Sequence, residues 1–150
     1  MTETEDDPIV PLNSLLRGEV AAVETYRQAT EKVTDAHARE VLQQNGVSHA
    51  ARVQRLRQEI VRLGGEPAEG SGAWGTFAKA VEGSAKLLGD SAAIAALEQG
   101  EDRGVKDYCD LCQELPSDLQ RVITAELLPE QRRTHEAVVR LKESMAESAG

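Results

Sequence analysis

The chain has 150 residues, of which 40% are hydrophobic, 3% aromatic and 29% charged; its formal net charge is −9 and its pI about 4.9. That length holds one domain around one core, and so acidic a surface repels phosphate backbones and anionic lipid, which excludes nucleic acid and a bare membrane as partners. Plentiful Ala, Leu, Glu, Arg and Gln beside few aromatic residues predict an all-α chain.

The N-terminal stretch MTETEDDPIVP lacks a basic n-region and an apolar h-region, and no apolar run approaches ~18 residues. The expected location is the cytoplasm, where Cys109 and Cys112 stay reduced. Residues 1–9 and 147–150 read as frayed tails of a single domain spanning 1–150. The first helix is predicted to begin between Pro8 and Asn13 and to reach about Val33. Its apolar positions Leu12, Leu16, Val23 and Val33 recur at helical spacing, with Glu19, Tyr26 and Thr30 in the same frame. Thr34 or Asp35 is suited to N-cap a second helix, so the turn is tight and the pair antiparallel. This helix runs to Leu63, with Leu42, Val53, Leu56, Ile60 and Leu63 inward, and stops at Gly64–Gly65.

Residues 66–75, EPAEGSGAWG, form the one linker. Trp74 and Phe77 are expected to pack it onto the helices. A short helix follows, ended by Gly89, and Asp90 or Ser91 caps a third long helix to about Leu115. Ser117 with Gln120 reads as a capping box opening a fourth, to about Ser148, which Pro129 should kink. Two antiparallel pairs joined by a long crossover are the ferritin-like way of building a four-helix bundle.

Within this layout a frame repeats. Gly18–Glu19 stands seven residues ahead of Tyr26, and Gly100–Glu101 seven ahead of Tyr108. Seven residues is two helical turns, so each Glu shares the apolar face with its Tyr. The partner helices repeat too: SHAARVQRL (48–56) and THEAVVRL (134–141) each open with a hydroxyl residue and a His. His49 lies on the stripe of Leu42, Asn45, Val53 and Leu56, and His135 with Leu128, Gln131 and Val138. Each half of the chain is thus expected to send one Glu, one Tyr and one His to the bundle middle, where an unpaired carboxylate is costly.

These phrases carry a resemblance. A Glu with a Tyr seven residues on resembles the first helix of ferritin and bacterioferritin, with a more distant likeness to rubrerythrin. LLRGEVAAVETYRQA, SGAWGTF, LLGDSAAIAALEQGED and the LP before the last helix are similar to a bacterial family of ferritin-like bundles of unknown function, over roughly residues 10 to 145. The resemblance implies the fold and no activity. Ferritin-like di-iron sites take a Glu from each of two helices and a Glu-x-x-His from each of the others. Glu19 and Glu101 match the lone glutamates, and His49 and His135 the histidines. Gly46 and Arg132 stand where the other two glutamates belong. The remaining set, Glu19, His49, Glu101 and His135 with Tyr26 and Tyr108 behind it, suits one Fe, Mn or Zn ion at most. The same residues can satisfy one another without metal, Glu19 accepting from Tyr108 or His135 and Glu101 from Tyr26 or His49. The departures at Gly46 and Arg132 favour this hydrogen-bond network over a metal centre.

Cys109 and Cys112 fit C-x-x-C, but neither the βαβ setting of a redox motif nor a second ligand pair for zinc accompanies them. Three apart on a helix they are adjacent and poorly placed for a disulfide; Cys112 reads as a small core residue. His37 and the series Arg52, Arg55, Arg57, Arg62 read as solvated. No catalytic triad, phosphate loop or dinucleotide fingerprint is present. The expectation is a non-catalytic bundle, with self-association left open; the alternative is a metal-binding, redox-active one.

Overall fold

The computed structural model describes residues 7–71 and 75–149, and their side chains except at 75–78 and 148–149. Every element among the described residues is helical: α1 (Ile9–Lys32), α2 (Ala36–Arg62), α3 (Gly75–Leu88), α4 (Asp90–Cys112), α5 (Ser117–Val122), a π-helical turn (Ile123–Leu127) and α6 (Leu128–Ala149). Among the described residues no helix is long and apolar enough to cross a membrane. Trp74 and the side chain of Phe77 lie outside the described residues.

The chain writes its own stops. Asp35 caps α2 by accepting from the Ala38 N–H at 2.8 Å. At the far end Gly64 takes a φ of +80°, which L side chains rarely adopt; its N–H reaches Val61 O and that of Gly65 reaches Ile60 O, both at 2.9 Å. The pair closes the orphan carbonyls of the last turn. Two capping expectations are corrected. Asp90 does not cap α4: its carboxylate accepts from the backbone of Thr34 and Asp35 and from the Thr34 hydroxyl at 2.9–3.1 Å. It pins the α1–α2 turn to the start of α4. Ser117 lies inside α5, Pro116 holding the cap position with no side-chain bond. At Pro129, where a kink is expected, the ladder of the last helix changes. The helix widens into a π turn just ahead of it, the Leu128 N–H reaching back five residues to Ile123 O. Proline lacks an N–H and its ring crowds the carbonyl four residues back, so the ladder shifts before it.

The four long helices touch in a ring, α1 against α2 and α4, and α6 against α2 and α4. Polar pairs show these neighbours to be antiparallel: Glu19 meets His49 and Tyr26 meets Asn45 across α1–α2, Glu19 meets Tyr108 and Tyr26 meets Glu101 across α1–α4, and Glu98 meets Lys142 while Asp102 meets His135 across α4–α6. α2 and α4 therefore run the same way, and the connection between them travels the length of the bundle. It leaves beside Asn13, which bonds Glu66 O at 3.0 Å and the Ala68 N–H at 2.7 Å, and α3 packs on α1 and α4 before Asp90 docks at the opposite end.

Two apolar clusters fill the interior. One gathers Ala29, Val33, Leu42, Ile94, Leu97, Val138 and Leu141; the other gathers Leu12, Leu16, Leu56, Ile60, Leu119, Ile123 and Leu127. Leu63, expected inward, is 37% exposed because the helix has already turned into its glycine stop. Between the clusters lies a belt of buried polar side chains, Glu19, Asn45, Ser48, His49, Arg52, Glu101, Gln131 and Thr134.

Candidate functional site

Glu19 and Glu101 enter this belt from α1 and α4, each 3% exposed. The tyrosines cross over: Tyr108 Oη donates to Glu19 Oε2, and Tyr26 Oη donates to Glu101 Oε2. Each half of the repeated frame thus satisfies the other half, tying α1 to α4 by two phenol–carboxylate bonds. Asn45 Nδ2 donates to the Tyr26 hydroxyl at 3.2 Å and to Thr134 O at 3.0 Å, locking α2 to both α1 and α6.

His49 stands between the carboxylates. Its Nδ1 bonds Glu19 Oε1 and its Nε2 bonds Glu101 Oε2, the latter at 2.8 Å, while its ring stacks on Tyr26 with centroids 5.2 Å apart. Ring nitrogens facing two ionised acceptors both need a proton. Arg52, 2% exposed, supplies a second cation: Nη1 lies 3.3 Å from Glu19 Oε2 and donates to Gln131 Oε1, Nη2 donates to Thr134 Oγ1 at 3.1 Å, and Nε reaches Ser48 O at 3.4 Å. Gln131 Nε2 donates to the Glu101 carbonyl at 2.9 Å and to Glu101 Oε1 at 2.8 Å, and the Thr134 hydroxyl lies 2.8 Å from the same Oε1.

Burial alone would raise the carboxyls of Glu19 and Glu101, but His49 overrides it at both, helped at Glu19 by Arg52, so both sit below the ordinary carboxylate range. Burial alone would lower the His49 imidazolium, but the charge of Glu19 and the bonds to both glutamates raise it. Tyr26 and Tyr108 are pushed well above the usual phenol value, first by burial and then by Glu101 and Glu19 respectively, so they serve as neutral donors. With His49 protonated, two carboxylates face one imidazolium and one guanidinium, and the belt is neutral.

Gly104 makes room for this arrangement. A Cβ there would lie 2.3 Å from Gln131 Nε2, so only glycine lets the amide rest on α4 and reach the Glu101 carbonyl. The same small residues leave a cleft of about 70 Å³ between α1 and α4, walled by Gly18, Ala22, Gly100 and Gly104 and floored by Glu19, His49 and Glu101.

The structure brings together Glu19, His49, Glu101, Tyr26 and Tyr108 and leaves His135 apart. The inward stripe of the last helix is Leu127, Gln131, Thr134, Val138 and Leu141. His135 is one residue, about 100° of helix, beyond Thr134; it is 26% exposed and lies 3.1 Å from Asp102 on the rim. Its expected place at Glu19 is corrected: Arg52 and Tyr108 fill it. Arg52 is the second correction: expected on a solvated face, it is buried. Its spacing from Leu42, Asn45, His49 and Leu56 put it on the buried stripe, and that phase was the overlooked signal. Gln131 and Thr134 follow Asn45 and Ser48 by 86 residues each, a repeat eclipsed by the more conspicuous histidines. Arg55 and Arg62 do pair outside, with Glu126 and Glu59 at 2.8 and 2.7 Å, and His37 is exposed.

Among the described residues no group of three or more His, Cys, Asp and Glu side chains is arranged to hold a metal ion. The reason is geometric: the imidazole nitrogens point apart, so Glu19 and Glu101 lie on opposite sides of one ring.

Residues 7–114 match the family model described as Domain of unknown function (DUF2383). The chain belongs to this family. The match spans α1 to α4 and so includes both repeated frames, His49, Arg52 and Gly104, while Gln131 and Thr134 lie beyond it. No curated protein and no solved structure matches the chain.

Two outcomes test the geometry. Gly104→Ala gains about 1 kcal/mol of helix propensity but displaces a bonded amide whose loss costs about 1–3 kcal/mol; chemical denaturation should show net destabilisation that vanishes when Gln131 is also shortened to Ala. The second is a pH dependence. A raised His49 stabilises the fold fully below its unfolded value near 6.5, an advantage lost as pH rises through the folded value; the lowered glutamates contribute above about 4.5 and fail as pH falls through theirs. The belt's contribution should peak between about pH 4.5 and 6.5, and His49→Gln should flatten the alkaline limb of urea midpoint against pH.

Proposed function

We propose that this protein is a non-catalytic ferritin-like four-helix bundle whose Glu19, Tyr26, His49, Arg52, Glu101 and Tyr108 set is a structural ion and hydrogen-bond network. The long crossover, the ring of antiparallel neighbours and the crossed Glu–Tyr pairs support the ferritin-like reading. One observation carries the structural role: His49 and buried Arg52 supply, from the chain itself, the two positive charges that the carboxylates require. Gly46 and Arg132 replace the acids that would balance two metal ions. A buried network of this kind fixes which helix faces meet, at some cost in stability. The bundle acts in the cytoplasm through its surface or by self-association, without nucleic acid or membrane as partner.

A second reading remains for one observation, the cleft that leads between α1 and α4 to Glu19 and Glu101. Along it a single Fe, Mn or Zn ion would compete with the His49 proton for Glu19, His49 and Glu101. His135 would need to leave Asp102 to join them.

Elemental analysis of protein purified without chelator or affinity-metal resin separates the two. The structural reading expects substoichiometric metal and a melting temperature unchanged by chelator. One equivalent of Fe, Mn or Zn, lost in Glu19→Ala with the helical fold retained, would establish the metal reading instead.

A further inference from the structure

The two thiols of the C-x-x-C motif lie away from the buried belt. Cys109 and Cys112 occupy the last turn of α4, and both are half-buried. Cys109 Sγ lies 3.9 Å from Arg132 Nη2 of α6, and Cys112 Sγ lies 3.9 Å from Gln120 O of α5. Burial, followed by the neighbouring Cys109, pushes the Cys112 thiol up.

Residues three apart on a helix hold their Cβ atoms about 5–6 Å apart. A disulfide needs roughly 3.5–4.5 Å between them, so closing the bond would break the turn. The same separation suits an ion that bridges two sulfurs from between them. The last turn of α4 has no basic side chain of its own, so the charge of two thiolates there has to be met from a neighbouring helix, where Arg132 stands beside Cys109. Soft thiolates select Cu(I) over the hard cations that carboxylates take.

We propose that Cys109 and Cys112 form a two-coordinate site for a soft monovalent metal ion of the Cu(I) class, with Arg132 as its charge partner. Both thiols lose their protons to solvent and two S–metal bonds form without change of oxidation state. The resulting bis-thiolate carries a net charge of −1, which the Arg132 guanidinium offsets. The site is independent of Glu19, His49 and Glu101 and stands whether or not those residues bind metal.

The test is anaerobic titration of the reduced full chain with Cu(I) against a chromophoric Cu(I) chelator. One Cu(I) per chain should be retained, with X-ray absorption showing two sulfur ligands. Cys109→Ser and Cys112→Ser should each abolish retention with the helical circular dichroism intact. Arg132→Gln should keep the stoichiometry and weaken binding about fivefold, what one charge near 4 Å is worth in water. Complete transfer of Cu(I) to the chelator would overturn the proposal. So would full retention by either serine variant, or an intramolecular disulfide forming in air without loss of helicity.

Discussion

Two carboxylates stand in the middle of this bundle with almost no access to water, and everything near them is arranged to bear that. An ionised carboxylate removed from water costs several kcal/mol unless it is paired and fully hydrogen-bonded. Neutral donors satisfy its lone pairs but leave its charge. The tyrosines therefore account for only part of the arrangement; His49 and Arg52 account for the charge. Because both cations come from α2, while the carboxylates come from α1 and α4 and the bridging amide and hydroxyl from α6, no long helix can slide along its neighbours without orphaning a buried group. The apolar clusters above and below contribute most of the burial and would tolerate several registers. The belt between them selects one.

The chain repeats itself in sequence more closely than in structure. Glu19 with Tyr108 and Glu101 with Tyr26 form an approximate two-fold, but the helices facing them have diverged. α2 contributes the imidazole and the guanidinium, whereas the matching positions of α6 hold His135, on the rim, and apolar Val138, and α6 reaches the belt through Gln131 and Thr134 instead. The π turn ahead of Pro129 sits at the entry to α6, and beyond it the inward stripe passes through Thr134 rather than His135. The asymmetry has a chemical consequence. With both cations on one side, the belt is neutral as built, and a bound metal ion would have to displace a proton from His49 and accept the field of Arg52 beside it.

Much of this was legible in the residues. Helix ends followed from Asp35, Gly64 and Gly89, and the inward Glu–Tyr frames from a seven-residue period, because these are local rules that tertiary packing did not override. The crossed pairing of the frames was one of the options their burial required. What could not be read was the phase of the last helix, which depends on how the backbone accommodates Pro129, and what the second cation pairs with. The helical phase of Arg52 already set it on the buried stripe; its partners on α6, which make a buried guanidinium tolerable, lie about 80 residues away in sequence. Asp90 misled for a related reason, since its carboxylate serves a turn far off in sequence and leaves its own helix uncapped.

The protonation state of His49 bears most directly on this account. Nitrogen-15 NMR of the imidazole at pH 7, in protein stripped of metal, should show both ring nitrogens protonated and the ring titrating above the ordinary value of 6.5. A pyridine-type nitrogen on His49 at that pH, with the fold intact, would contradict it: one glutamate would then face an unprotonated lone pair, and the balance of charge would have to come from a cation outside the chain.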